Sequence, residues 1–127
     1  MSAAIWVSRL ILGGGILLLA GCATSGQRPL YMWEAFPRQQ YETLLNAGAS
    51  PLAQMATLEA QAEKAGGVGA ALPPGFRAHL GMLKLSVGDL DSARQLWIAE
   101  KTAFPESAAY MDRLLKPLDG PAKTKSP

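Results

Sequence analysis

The stretch FRAHLGMLKLSV, at residues 76–87, carries two apolar stripes rather than one. Phe76, Leu80, Leu83 and Val87 recur at spacings of four, three and four, so they share one face of a helix; Ala78, Met82 and Leu85 make the second stripe. A helix with two apolar stripes must bury both, so this one needs cover on two sides. Other helical segments are at hand. One is expected from about Arg38 to Ala47, stopped by Gly48. The next opens with Ser50 as cap and Pro51 at the first helical position, with Gly66 just past its end; Leu52, Met55, Leu58 or Glu59, and Ala62 fall at helical spacing along it. GGVGAALPPG then reads as a loop. Past Pro105, ESAAYMDRLLKPL reads as an amphipathic helix with Ala108, Met111, Leu115 and Leu118 on one face. The expectation is an all-α fold over residues 38–118, and 127 residues leave room for one domain.

The segment PPGFRAHLGMLKLSVGDLDSARQLWIAEKTAFPES resembles one tetratricopeptide repeat, a helix–turn–helix unit of about 34 residues. With Pro74 at its first position, Leu80 and Gly81 take the Leu-Gly places, Gly88 the turn, Ala93 the small contact of the second helix, Trp97 the large aromatic and Pro105 the closing proline. The resemblance implies that Gly81 and Ala93 let two antiparallel helices approach, that Gly88 adopts the left-handed turn conformation, that Trp97 fills the space between units and that Pro105 stops one helix and starts the next. Lys84 stands where tyrosine is usual and Glu100 where alanine is usual. One period earlier, Ala47 falls on the glycine place and Glu59 on the small contact, so the register does not recur. The resemblance also sets the first stripe of residues 76–87 against the second repeat helix and turns the second stripe to the concave side, where ligands lie. Clamps for a peptide's terminal carboxylate use lysine and asparagine there. This chain has Ala78, His79, Met82, Leu85 and Ser86, which argues against that ligand class. Residues 30–36, with Trp33 as anchor, or a partner's helix would cover the groove; a single repeat favours the chain's own segment.

The N-terminal region reads differently. Arg9 precedes an uncharged run over residues 10–20, short of the ~20 apolar residues of a bilayer span, and Gly13, Gly14 and Gly15 weaken it as a permanent helix. A basic residue, a short apolar core and small residues describe a signal peptide. Leu19-Ala20-Gly21-Cys22 resembles the bacterial lipobox. That resemblance implies a diacylglyceryl group on the Cys22 thiol, cleavage just before Cys22 by a peptidase that recognises Leu19, Ala20 and Gly21, and acylation of the new amino terminus. Two or three acyl chains, at ~0.8 kcal/mol per buried methylene, anchor a protein stably. An uncleaved anchor is a weaker reading, and a Cys22–His79 catalytic dyad lacks an orienting third member. Ala23 stands where enterobacterial sorting rules place the aspartate that retains a lipoprotein in the inner membrane, which implies the outer membrane. The expected organisation is a signal peptide over residues 1–21, an acylated tether and aromatic segment over 22–37, the helical domain over 38–118 and a solvated tail over 119–127.

Several classes of function are disfavoured. A net charge of +2 with no basic cluster argues against nucleic acid, and one cysteine with one histidine cannot form a zinc site, so neither metal nor cofactor is expected beyond the covalent lipid. The acidic residues Glu34, Glu42, Glu59, Glu63, Asp89, Asp91, Glu100, Glu106 and Asp112 are scattered rather than paired for acid–base work, and no small-molecule substrate is evident. Leu30-Tyr31-x-Trp33, Pro73-Pro74-Gly75, Glu100-Lys101, Phe104-Pro105-Glu106-Ser107 and Met111-Asp112-Arg113-Leu114 together resemble a bacterial lipoprotein family catalogued as domain of unknown function 4810. Its members are predicted tetratricopeptide-like lipoproteins, often encoded beside a lipoprotein resembling the curli secretion channel. The resemblance implies a non-catalytic scaffold, held by its lipid at the periplasmic face of the outer membrane, with a protein partner such as another envelope lipoprotein. A structural, wall-contacting lipoprotein is the alternative.

Overall fold

A computed structural model of the chain describes residue 26, residues 29–46 and residues 48–120. Helices α1 (Phe36–Leu44), α2 (Pro51–Gly67), α3 (Phe76–Ser86) and α4 (Leu90–Ala103) lead through a short 3-10 turn (Pro105–Ser107) into α5 (Ala108–Asp119). The all-α expectation holds. Helix α1 starts at Phe36, two residues earlier than expected, with Pro37 in its first turn. It also stops early, at Leu44: Asn46, at φ +49°, turns left-handed two residues before Gly48, which has φ +96°.

Ser50 caps α2 by accepting the Ala53 N–H at 3.3 Å. Gly66, expected just past the helix, lies within it. The stop comes at Gly69, φ +65°, where the Ala70 N–H reaches the Ala65 carbonyl at 2.9 Å and the Gly69 N–H that of Gly66 at 3.3 Å. Helix α3 closes the same way around Gly88, φ +87°: Asp89 N–H bonds Lys84 and Gly88 N–H bonds Leu85, both at 3.0 Å. The left-handed residue returns the chain's N–H groups onto carbonyls the helix cannot satisfy, and glycine takes that conformation without a Cβ clash. The Asp89 side chain then caps α4 by accepting the Ser92 N–H at 3.1 Å, and hydrogen bonding from Ser92 holds its carboxyl below the usual carboxylate range.

Each helix runs antiparallel to the one before it, as contacts between opposite ends show. Thr43 meets Gln54 while Gln61 meets Ala35; Glu59 meets Lys84 while Ala65 lies near Arg77; Ala78 meets Trp97 while Gly75 meets Glu100. Lys101 pairs with Asp112 while Arg94 pairs with Asp119.

Two apolar clusters flank α3. Phe36, Met55, Leu58, Phe76, Leu80 and Leu83 form one, with the partly buried Leu96 against it. Ala93, Trp97, Met111 and Leu115 form the other, with Ala78 and Leu85 packed on it. The first stripe of α3 was expected against α4, but α1 and α2 bury most of it; the second stripe, expected to line a groove, supplies two residues to the α4–α5 side. Residue size explains the exchange. Ala78 and Gly81 are small enough for the α4 tryptophan to approach α3 closely, while Phe36 and Met55 are large enough to meet Phe76 and Leu80. Val87 drops out of the stripe because it lies beyond the last turn of α3, where it is exposed.

Residues 31–35 pack along α2 and the α2–α3 loop. The Met32 N–H bonds the Ala71 carbonyl at 2.8 Å. The buried Gln61 side chain donates to the Met32 and Trp33 carbonyls (2.8 and 3.0 Å) and accepts from the Ala35 N–H (3.1 Å). Phe36, 1% exposed, is the anchor. Trp33, expected in that role, stacks on Phe36 with ring centroids 6.3 Å apart but stays 46% exposed.

Candidate functional site

The face bounded by α1, α3 and α5 holds the most distinctive chemistry of the described residues. His79 and Met82, a little under one turn apart on α3, both line two adjoining clefts. The first, about 360 Å³, is closed by Gln40 of α1, by Glu100 of α4, by Glu106 of the 3-10 turn and by Tyr110 and Leu114 of α5. The second, about 420 Å³, lies towards Glu42 and Thr43 of α1 and Ser86 of α3.

Glu100 is the unexpected member. A carboxylate that is 1% exposed normally requires full hydrogen bonding or a cation. The cause of its position lies at the start of α3. The N-cap there is Gly75, φ +85°, which has no side chain to offer. Glu100 reaches across from α4, and its Oε1 accepts the Gly75 N–H at 2.6 Å. Its charge therefore sits at the positive end of α3. Its Oε2 is buried without a partner among the described residues, and so is His79 Nε2. Both residues line the first cleft. Burial pushes the half-buried His79 below the usual imidazole range, so its ring is neutral at pH 7.

The predicted groove residues separate. His79, Met82 and Ser86 line the clefts, and Met82 is 45% exposed. Ala78 faces the first cleft and also packs on the Trp97 cluster, which Leu85 joins. Residues 30–36 leave Met82 open, contrary to the self-coverage favoured above, because Gln61 and the Ala71 carbonyl hold that segment along α2 and the α2–α3 loop. Among the residues of the repeat signature, Leu80 joins the α1–α2 cluster, while Ala93 and Trp97 are buried in the other. A Cβ on Gly81 would stand 2.8 Å from Trp97 Cδ1. Pro105 opens the 3-10 turn.

Most acidic residues have structural partners. Glu34 pairs with Lys64 at 2.7 Å, Glu42 with Arg38 at 2.8 Å, Glu59 with Lys84 at 2.5 Å and Asp112 with Lys101 at 2.6 Å. Among the described residues, no group of three or more histidine, cysteine or acidic side chains could hold a metal, and no helix is long and apolar enough to cross a membrane. Cys22 and its recognition residues Leu19, Ala20 and Gly21 lie outside the described residues. Sequence reading missed Glu100 and Gln61 as organising residues. The available signal for Glu100 was an acid in a small-residue place, opposite a helix start with no capping side chain.

A family model described as domain of unknown function (DUF4810) matches residues 30–114. The chain belongs to this family. The DUF4810 region begins with the Tyr31–Trp33 neighbourhood held by Gln61 and ends on α5 at Leu114, which lines the first cleft. It therefore contains both clefts' α3 wall, Glu100 and the start of α5. No curated protein and no solved structure matches the chain.

Proposed function

We infer that this DUF4810 protein is a non-catalytic protein-binding module, acylated on Cys22 and held at the periplasmic face of the outer membrane. Its helices act as a short tetratricopeptide-like array. The observation that carries this reading is the α3 face: Met82 is exposed between two clefts, flanked by α1 and α5, where a partner's side chains can dock. The close contact of Gly81 with Trp97, the buried Ala93 and the left-handed Gly88 support the tetratricopeptide-like reading of α3 and α4. The Leu19-Ala20-Gly21-Cys22 motif supports the anchor, and Ala23 supports outer-membrane sorting. An accessory role beside a curli-channel-like envelope system follows from the family resemblance.

Photo-crosslinkers test the docking face in intact cells. Placed at Met82 and at Tyr110, they should each give a discrete protein adduct, while one at the exposed Ile98 of α4 should give none. Equal labelling at all three sites, or none, overturns the assignment. Cys22→Ser should leave an uncleaved precursor without lipid; normal processing of that variant refutes the anchor.

A further inference from the structure

Two residues that line the first cleft, from different helices, each hold a buried polar atom with no hydrogen-bond partner among the described residues. Glu100 Oε2 comes from α4 and His79 Nε2 from α3. A buried carboxylate oxygen left unpaired is costly, because it has lost its hydration and gained nothing in return. The capping of Gly75 uses only the other oxygen of Glu100. With the ring neutral, His79 presents one nitrogen as donor and one as acceptor. Glu106 adds a second negative charge at the rim, and among the described residues no lysine or arginine lines the cleft. Met82, Tyr110 and Leu114 give the wall apolar and aromatic surface, and Gln40 and Ser107 add neutral polar groups.

These features specify a ligand. It must be cationic, to complement Glu100 and Glu106. It must carry several N–H groups in a fixed arrangement, to serve two acceptors at once. It must also be weakly hydrated, to enter beside apolar walls. A guanidinium meets all three demands, with five donors in a planar fork; an ammonium is a compact, strongly hydrated point charge.

We propose that the cleft between α3 and α5 binds the arginine side chain of a partner polypeptide, with its guanidinium donating to Glu100 Oε2 and His79 Nε2. The aliphatic stem of the arginine lies against Met82 and Leu114, and the rest of the partner runs along the open face of α3. The inference rests on reading that face as a docking surface. It reverses the charge sense of the lysine- and asparagine-lined clamps that grip a peptide's terminal carboxylate.

His79 is the sole histidine of the chain, so its ring signals report on the cleft without ambiguity. The full chain in detergent micelles is titrated with N-acetyl-arginine methylamide and followed by NMR. A saturable shift of the His79 ring is expected. The citrulline analogue, which keeps the shape and loses the charge, should produce none, and the lysine analogue should bind about fivefold more weakly. Glu100→Gln should weaken the arginine probe by about tenfold or more, the loss of one charged hydrogen bond. Should that variant lose its fold along with the α3 cap, Glu106→Gln, at an exposed site, should still cost about two- to threefold and reduce the salt dependence. Three results overturn the proposal: no saturable shift, a citrulline affinity equal to that of arginine, or unchanged binding in the variant that folds. Equal affinity for the lysine probe rejects the guanidinium assignment. Because the probe is read on the purified protein and the crosslinks in cells, failure of this site and failure of the docking face are separate outcomes.

Discussion

The α1–α2 hairpin and the α3–α4 hairpin bury their contact in opposite ways. In the first, the interface contains glutamines: Gln39, Gln54 and Gln61 are all buried, and Thr43 Oγ1 lies 2.6 Å from Gln54 Oε1. In the second, a glycine meets a tryptophan, and the indole Nε1 donates to the Ala78 carbonyl at 3.1 Å. A close crossing of small and large residues is intolerant of added volume. A crossing built on side-chain amides tolerates volume better but depends on each amide keeping its partners. The close-packed α3–α4 pair is therefore the half intolerant of added volume, and the amide-tied α1–α2 pair is the half whose attachment can be undone one group at a time.

The largest test is at Gly81. Glycine-to-leucine there must displace the Trp97 ring, which is 1% exposed, and break its bond to Ala78. The expected loss is above about 3 kcal/mol in chemical unfolding. Alanine at the same site gains about 1 kcal/mol of helix propensity but still sets a methyl against the indole, so a net loss is expected there too. A Gly81→Ala variant as stable as the parent would show that the α3–α4 crossing is not close-packed.

Gln61→Leu is the corresponding test of the amide-tied half. The substitution nearly conserves volume, but it strands the Met32 and Trp33 carbonyls and the Ala35 N–H. About 2 kcal/mol should be lost. The loss should be local: hydrogen exchange at the Met32 N–H should accelerate, while the Trp97 indole N–H keeps its protection. Equal acceleration at both would mean that the two halves unfold as one unit, and the contrast between them would fail.

This pair of tests also shows what could be read from the residues alone. Helical periodicity placed Phe76, Leu80 and Leu83 on one face of α3, because a period is a property of one element. It could not say which neighbour covers that face, since burial looks the same against α2 as against α4. The stripes were exchanged for that reason. Gln54 and Gln61 gave no sign of burial, because a buried amide differs from an exposed one only in its partners, and those come from residues 26–29 positions away for Gln61. Glu100 was visible as a departure from a small-residue place, but its role depends on Gly75, 25 residues earlier. Met82 and His79 could be placed together on α3; the walls facing them come from α1 and α5 and had no signature in the sequence.

A smaller effect is expected at the seam between the halves. His79 of α3 lies 6.0 Å, centroid to centroid, from the Phe36 ring of α1, and its pKa is lowered by burial. The charged or titratable groups on its clefts are Glu100, Glu106, Tyr110 and Glu42. The unfolded chain binds the His79 proton near pH 6.5, before the folded state does. Stability from this residue is therefore complete above that pH and falls as the pH drops towards the lower folded value. Denaturation midpoints measured downwards from pH 7 should decline, and His79→Gln should flatten that part of the curve. An identical slope in the variant would move the effect to the carboxylates.

The smallest expected effect separates the amides from one another. Gln39 is buried on α1, yet its Oε1 has no partner among the described residues, unlike Gln54, whose Nε2 donates to the Ala49 carbonyl at 2.8 Å, and unlike Gln61. An unpartnered buried acceptor contributes nothing and carries its own desolvation penalty. Gln39→Met keeps the unbranched shape, retains helix propensity and removes that acceptor. Stability should change by less than about 0.5 kcal/mol, or rise, where Gln61→Leu costs several times as much. A loss at Gln39 comparable to that at Gln61 would mean that the α1–α2 half needs every one of its amides, including one whose oxygen has no partner among the described residues.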